Sequence, residues 1–226
     1  MTFGRISQGM DSAERLAATD ARLAEVRCYW DALRRGDQLP KRAQIDPRGI
    51  AGALDHVFLL ERIAPGMAQL RISGMACNRL FGMEARGLPL STLFLTEARA
   101  ILTNCLEQVF ATPASLELSL WSERRAGHAP VRGRMILLPL LSHTGQCTMA
   151  LGCFGLSAES GPHVRFGIGA SNLTSFGLPK PKSADQATAL PQVQPVPVSK
   201  PQILESATSQ TQTTRRSYLR LVHSAT

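Results

Sequence analysis

The sequence has 226 residues, of which 44% are hydrophobic and 19% charged, a composition typical of a globular protein with a packed core. Aromatic residues make up only 5%, which argues against a stacking platform for single-stranded nucleic acid. The net charge is +8, but six cations and two acids lie beyond Ser175, so half of it belongs to the C-terminal tail. Charges dispersed in this way argue against specific nucleic-acid binding.

The cysteines and the apolar runs exclude further classes of protein. The five cysteines are odd in number and no two form a Cys-x-x-Cys pair, which argues against a disulfide framework and a structural zinc site. The longest apolar run, Met135–Leu141, is too short to cross a membrane. The first twenty residues lack the apolar segment of an export signal. We therefore expect a cytoplasmic protein with reduced cysteines and no metal site.

The first predicted element is an amphipathic helix that begins at Ser12, its expected N-cap, and stops at Gly36. A helix of this kind has to cover an apolar surface, either the sheet of its own domain or the equivalent helix of a partner. Its apolar face is therefore the candidate interaction surface, and it consists of Leu16, Leu23, Val26, Trp30 and Leu33. The pair Asp46-Pro47 predicts a second, shorter helix with Asp46 as N-cap.

The next residues predict a β-hairpin. The run His56–Arg62 is apolar and β-branched, Pro65-Gly66 is typical of a turn, and Gln69–Ile72 alternates polar and apolar residues. Two helices are predicted to follow, a short one over Ala76–Phe81 and a longer one over Glu97–Ala111.

Three more strand-like runs complete the predicted domain: Ser115–Trp121, Val131–Leu141 and Cys147–Phe154. Pro139 indicates that the second of them lies at an edge or ends there. Strands at both ends with helices between them predict an α+β domain built on an antiparallel sheet.

The composition changes after Phe166. Residues 157–176, including Gly167-Ile168-Gly169, are expected to be a flexible exit from the domain. Residues 177–214 contain six prolines with many Ser, Thr, Gln and Ala residues, so they are predicted to be a disordered linker. Residues 215–226 form a short basic-apolar element whose candidate docking residues are Arg215, Arg216, Tyr218 and Arg220. A frayed terminus is the alternative.

Short blocks follow one another in a characteristic order along the chain: Tyr29-Trp30, Leu39-Pro40-Lys41-Arg42, Asp46-Pro47, Val57–Leu60, Arg71–Gly74, Leu80–Gly82, Arg86-Gly87, Leu137–Leu140 and Gly152. This order resembles a family of stand-alone bacterial PAS-like proteins. The similarity covers residues 21–156, after a lead-in over residues 1–20, with an echo in Tyr218–Val222. It implies a PAS-like five-stranded antiparallel sheet with helices on one face, preceded by the amphipathic N-terminal helix, and a role in signalling.

The resemblance also implies where a ligand would lie, between the concave sheet and the helices that follow the second strand. The candidate pocket residues on this sequence are Phe58, Leu60, Ile72, Met75, Cys77, Leu80, Phe81, Leu118, Ile136, Leu138 and Met149. The alternative is that the same residues form an ordinary core.

Specific chemistries find little support in the sequence. The run Cys77-Asn78-Arg79-Leu80-Phe81 superficially resembles the Asn-Cys-Arg-Phe-Leu context of flavin photosensing, but its cysteine precedes the asparagine. Haem requires an axial histidine, and none of His56, His128, His143 and His163 has a predicted pocket position. We therefore expect neither flavin nor haem.

Enzymatic activity is not expected either. The chain contains no Gly-x-Ser-x-Gly elbow, no Walker loop and no His-Glu-x-x-His segment, and its carboxylates form no obvious acid–base pair. Two functions remain open. The first is a sensory or protein-interaction module of bacterial signalling, with a small-molecule ligand as one option and a protein partner or homodimer at the N-terminal helix. The second is a ligand-free adaptor that docks through its basic tail.

Overall fold

The computed structural model describes residues 11–123, 130–158 and 162–176. The chain divides into two units, residues 1–182 and 183–226, and every described element belongs to the first. Its α-helices are α1 (Ser12–Leu33), α2 (Met75–Phe81) and α3 (Thr96–Ala111), and its 3-10 helices are Arg42–Gln44, Pro47–His56 and Leu90–Leu93. Among the described residues, no helix is both long and apolar enough to span a membrane. The predicted linker and the tail element lie outside the described residues.

Six strands form one sheet, in which every neighbouring pair is antiparallel. They are β1 (Val57–Ala64), β2 (Met67–Ser73), β3 (Ala114–Ser122), β4 (Arg132–Leu141), β5 (Cys147–Leu156) and β6 (Phe166–Ser175). Their order across the sheet is β2-β1-β5-β4-β3-β6. The predicted α+β architecture, an antiparallel sheet with a leading helix, is confirmed.

The sixth strand lies where the sequence predicted a flexible exit from the domain. Its residues show no alternation of polar and apolar side chains, so no strand pattern was visible. The strand is held instead by pairing with β3, from Ser122 opposite Phe166 to Ala114 opposite Ser175. Phe166 is buried in the core, and the ring of Trp121 lies against Gly167, where any larger side chain would collide with it. Glycine therefore serves close packing here, and the sheet has six strands rather than five.

The two faces of the sheet carry separate cores. The inner face, as we call it, packs against α2 and α3, and its core includes Phe58, Leu106 and Leu137. The outer face packs against α1 over β4 and β5, and its core includes Val26 and Trp30. Both faces are covered over Val57–Leu60 of β1, 135–140 of β4 and 150–155 of β5, and these stretches contain no charged or polar side chain.

Local signals set the helix starts. The N-cap of α1 is Asp11 rather than Ser12: Asp11 Oδ1 accepts from Glu14 N at 2.8 Å, and Glu14 Oε2 accepts from Asp11 N at 3.0 Å. This reciprocal pair is a capping box. The predicted N-cap at Asp46 is confirmed for the 3-10 helix that begins at Pro47. Asp46 Oδ1 accepts a hydrogen bond from Arg48 N at 3.0 Å.

Pro139 lies inside β4, a strand with neighbours on both sides. The pairing of β3 with β4 ends at Leu137, whereas β5 continues alongside β4 past Pro139. The proline therefore occupies a stretch that has a strand on one side only, which is where a residue without an N–H is tolerated.

Candidate functional site

The inner face is where the sequence predicted a ligand pocket. The structure brings together six of the eleven predicted residues in the inner core: Phe58, Leu60, Cys77, Leu80, Phe81 and Leu118. None of these six is more than 5% exposed. They lie between the sheet and α2, as expected for a PAS-like interior, and they pack as core side chains.

Two aromatic side chains pack against each other in this interior. Phe58 lies across the sheet from Gly152, and its ring occupies the place that a side chain at position 152 would take. Phe154 lies beside it with ring centroids 6.3 Å apart. Both rings are at most 3% exposed, so this part of the interior is packed with side chains.

The other five predicted pocket residues lie elsewhere. Ile136 and Leu138 belong to the outer core, and Met149 packs against it. Neighbouring residues of a strand point to opposite faces, so the inner-face residues of β4 are Met135 and Leu137 instead. Within β4, the prediction therefore named the residues of the outer face in place of those of the inner face. Ile72 and Met75 are 53% and 62% exposed and lie on the surface.

The buried cysteines are poor nucleophiles. Burial raises the pKa of Cys77 to about 12, and the nearby Cys153 thiol adds to this rise. Burial likewise raises the pKa of Cys147 and Cys153 to about 12 and that of Cys105 above its usual value. These groups therefore remain thiols at neutral pH. Cys28, on α1, is exposed.

The histidines are scattered. His56 ends the helix before β1, and its ring packs edge-on against Phe154 with centroids 5.8 Å apart. Burial lowers the pKa of His56, and the positive charge of Arg22 lowers it further. His143 and His163 are exposed, and His128 lies outside the described residues. Within the described part of the chain, no three His, Cys, Asp or Glu side chains are grouped as metal ligands.

Helix α1 covers its own sheet, the first of the two alternatives for an amphipathic helix. Val26 and Trp30 are fully buried, and the indole Nε1 of Trp30 donates to Pro139 O at 3.0 Å. Thr19 packs directly on Gly155 of β5, where a Cβ would overlap its side chain. Leu16, Leu23 and Leu33 are half-buried. The centre of the predicted interaction face is therefore closed to a partner, because Val26 and Trp30 belong to the core.

A trough remains beside α1 on the outer face, where the helix stops short of β3 and β6. Its volume is about 430 Å³. Its walls come from α1, β3, β4 and β6 and consist of Asp20, Leu23, Ala24, Arg27, Glu117, Leu118, Ser119, Arg134, Met135, Ile136, Ala170, Ser171 and Asn172. We call this surface the outer trough.

Two ion pairs join α1 to the sheet along the outer trough. Arg27 pairs with Glu117 of β3 and also donates to Ser115 Oγ at 3.2 Å. Arg134 of β4 pairs with Asp20 at 3.1 Å. All four charged side chains are at least 30% exposed, so each pair contributes little to stability.

Phe176, the last described residue, lies against the C-terminal end of α1. Phe176 packs against Trp30 with ring centroids 5.0 Å apart. The guanidinium of Arg34 lies 4.5 Å from the Phe176 ring and 5.3 Å from the Trp30 ring, within the range of a cation–π contact. We call these three residues the exit clamp. The segment that follows begins at this clamp, so α1 and the exit of the chain share one contact.

Sequence reasoning identified neither the outer trough nor the exit clamp. One signal was present: β3 alternates between buried leucines and the exposed residues Glu117, Ser119 and Trp121, which indicates a strand with one face open. The predicted docking residues of the tail, Arg215, Arg216, Tyr218 and Arg220, lie outside the described residues.

Two solved structures are similar to part of this chain. One, from a study of a flavin analogue in a light-oxygen-voltage domain, is 15% identical over 50% of this chain and 84% of its own, with a TM-score of 0.37. The other is an RNA-binding light-oxygen-voltage receptor, 19% identical over 52% of this chain and 35% of its own, with a TM-score of 0.35. A comparison with curated proteins finds no match.

The family comparison covers most of the domain. A family model described as a PAS domain matches residues 18–155, more than half of the chain. The match runs from α1 through the helices to the end of β5 and leaves β6 outside. Together with the antiparallel sheet and the helices on its inner face, this match shows that the chain belongs to the PAS domain family.

Proposed function

We propose that this chain is a protein-interaction module of a bacterial signalling system, acting in the cytoplasm by contact and without a catalytic step. The observation that carries the proposal is the outer trough, an open surface that α1 and the sheet form together. A protein bound there touches both elements at once, so binding depends on how α1 lies on the sheet.

The exit clamp supports a relay. Trp30 and Arg34 contact Phe176, while Asp20, Ala24 and Arg27 of the same helix border the outer trough. A helix is stiff over this length, so a shift of α1 at the trough also moves the clamp. The proposed signal is therefore a small displacement of α1 on the sheet, which reaches the segment after Phe176.

Contact, rather than an interior ligand, is the mode that the packing favours. Phe58, Phe81 and Phe154 pack in the inner core, and none of them is more than 5% exposed. An absorption spectrum and a native mass of the purified full chain test this directly. We expect the mass of the polypeptide alone and no visible absorption band, and a bound chromophore would refute the contact mode.

The partner surface is tested by photo-crosslinking in cells. A crosslinking amino acid replaces Ala24 in the outer trough, and in the matched control it replaces Asn104, which is exposed on α3 over the inner face. We expect a protein adduct from position 24 and none from position 104. Ala24→Arg should then weaken binding of that protein about tenfold or more, whereas Asn104→Arg should leave it unchanged. Equal adducts from both positions would contradict the proposed surface.

The charge of the tail supports a second candidate, an adaptor that docks through Arg215, Arg216, Tyr218 and Arg220. Half of the net charge of +8 lies beyond Ser175, which suits an anionic partner. A chain ending at Phe176 separates the two functions. It keeps the position-24 adduct if the outer trough binds the partner, and it loses the partner if the tail does.

A further inference from the structure

The two edges of the sheet differ in how they are covered. At the β2 edge, Leu70 N donates to Leu88 O at 3.0 Å and Gly87 N donates to Leu70 O at 2.7 Å, so a neighbouring segment pairs with the strand. At the β6 edge, a neighbouring segment pairs with the first residue of the strand, since Leu95 N donates to Phe166 O at 2.9 Å. From Gly167 to Ser175, the described residues supply backbone hydrogen-bond partners only on the β3 side, whereas the side chain of Ser171 hydrogen-bonds with Cys105 of α3.

The outward-directed groups of β6 can be assigned. Phe176 N donates to Pro113 O at 3.0 Å, so residue 176 directs its N–H toward the β3 side. Residues of an antiparallel strand alternate in this direction. Ser171, Leu173 and Ser175 therefore point their N–H and C=O groups away from β3, toward the free edge.

Within the described part of the chain, the edge from Gly167 onward also lacks the features that normally prevent strand pairing. Natural edges carry charges, prolines or bulges, or are covered by other segments. The nine residues Gly167–Ser175 contain no charge and no proline, and the bulge lies near the start of the strand, at Gly169. The stretch from Ala170 to Ser175 is regular and uncharged.

We propose that this free edge of β6 pairs antiparallel with β6 of a second copy of the chain, joining two sheets across a twofold axis. A second copy fits because an uncharged edge does not repel itself, and a twofold axis presents the same outward groups from both sides. An axis at Leu173 places Leu173 opposite Leu173 of the second copy and Asn172 opposite Thr174. Three hydrogen-bonded pairs then exchange about six backbone hydrogen bonds.

This pairing also buries apolar surface. Leu173 packs against the inner core but is only half-buried, and it lies at the sheet margin where the second copy would cover it. One strand from each chain forms a small interface, so the dimer is reversible and depends on protein concentration. The surface is separate from the buried face of α1, so dimerisation leaves α1 on its own sheet.

Sedimentation equilibrium on the full chain, from about 1 µM to about 1 mM, tests the proposal. The wild-type mass should rise toward twice that of the chain. The double variant Asn172→Lys/Thr174→Lys places lysines directly opposite each other, and its dimer should be weaker by about tenfold or more. The dimer of Asn172→Glu/Thr174→Glu should be weakened to a similar extent. An equimolar mixture of the two double variants should form a heterodimer, because lysines then lie opposite glutamates.

Two further variants keep the result unambiguous. Ser175→Pro removes one outward N–H without touching the β3 ladder, and it should weaken the dimer while circular dichroism shows an unchanged fold. Ala24→Arg, in the outer trough, should leave the dimer intact. The proposal is overturned if the wild-type chain stays monomeric throughout, if the mixed variants do not associate, or if only Ala24→Arg disrupts the dimer.

Discussion

Replacement of Trp30 measures how firmly α1 is fixed to the sheet. The side chain is fully buried, its indole N–H donates to Pro139 O at 3.0 Å, and its ring packs against Phe176. Trp30→Phe keeps an aromatic ring but removes the donor and part of the ring volume. The lost hydrogen bond and the small cavity together should lower the free energy of unfolding by about 2 kcal/mol. Trp30→Ala should lower it by about 4 kcal/mol.

Urea denaturation followed by far-ultraviolet circular dichroism is the suitable assay, because it does not depend on tryptophan fluorescence. The other tryptophan is the matched control: Trp121 is 42% exposed, so Trp121→Phe should change the free energy of unfolding by about 0.5 kcal/mol or less. Equal losses from the two Phe variants would show that α1 does not rest on the sheet as described. Loss of a partner on mutation of Trp30 is therefore no test of a partner surface, since the same change loosens the core.

Three further predictions concern packing, pH and thiol reactivity. Gly155→Ala should lower the free energy of unfolding by about 1–3 kcal/mol because its Cβ would overlap Thr19, and Thr19→Ala in the same chain should restore part of the loss; additive losses in chemical denaturation would contradict this contact. Burial, and next Arg22, lower the pKa of His56 in the folded state, so protonation favours the unfolded chain and stability should fall as the pH drops below about 6.5. Denaturation at pH 7 and pH 5 should show a smaller fall for His56→Gln than for the wild type, and equal falls would refute this role. A thiol reagent at neutral pH should label Cys28 in the native protein and all five cysteines in denaturant; rapid native labelling of Cys77 or Cys153, whose pKa values burial raises to about 12, would contradict the packed interior.

Element types could be predicted from the sequence wherever a local physical signal existed. Pro65-Gly66 marked the hairpin turn, where Gly66 has φ of +66°, and Asp46-Pro47 marked a helix start. Strand β6 gave no such signal, because Gly167, Gly169 and Ala170 favour no strand by themselves. That strand exists because β3 offers it a hydrogen-bonding partner, and tertiary pairing of this kind cannot be inferred from local composition.

The assignment of side chains to faces was limited by the same double burial that stabilises the sheet. The run Met135–Leu138 is apolar at every position, since Met135 and Leu137 face the inner core while Ile136 and Leu138 face the outer core. No alternation remains that could show which residues face which helices. The apolar stripe of α1 presented the same difficulty, because its spacing indicated a covered face and not the surface that covers it.

The contrast between neighbouring strands nevertheless locates the open part of the sheet. Strand β4 is buried on both faces from Met135 to Leu140, whereas β3 beside it exposes Glu117, Ser119 and Trp121 between buried leucines. The cover that α1 provides must therefore end between these two strands. Polar residues on a strand face persist where no helix packs closely on it, so Glu117 and Ser119 mark the more open part of the outer face. The outer trough and the β6 edge both lie on this side of the sheet, which is the side where we propose that this PAS domain makes its interactions.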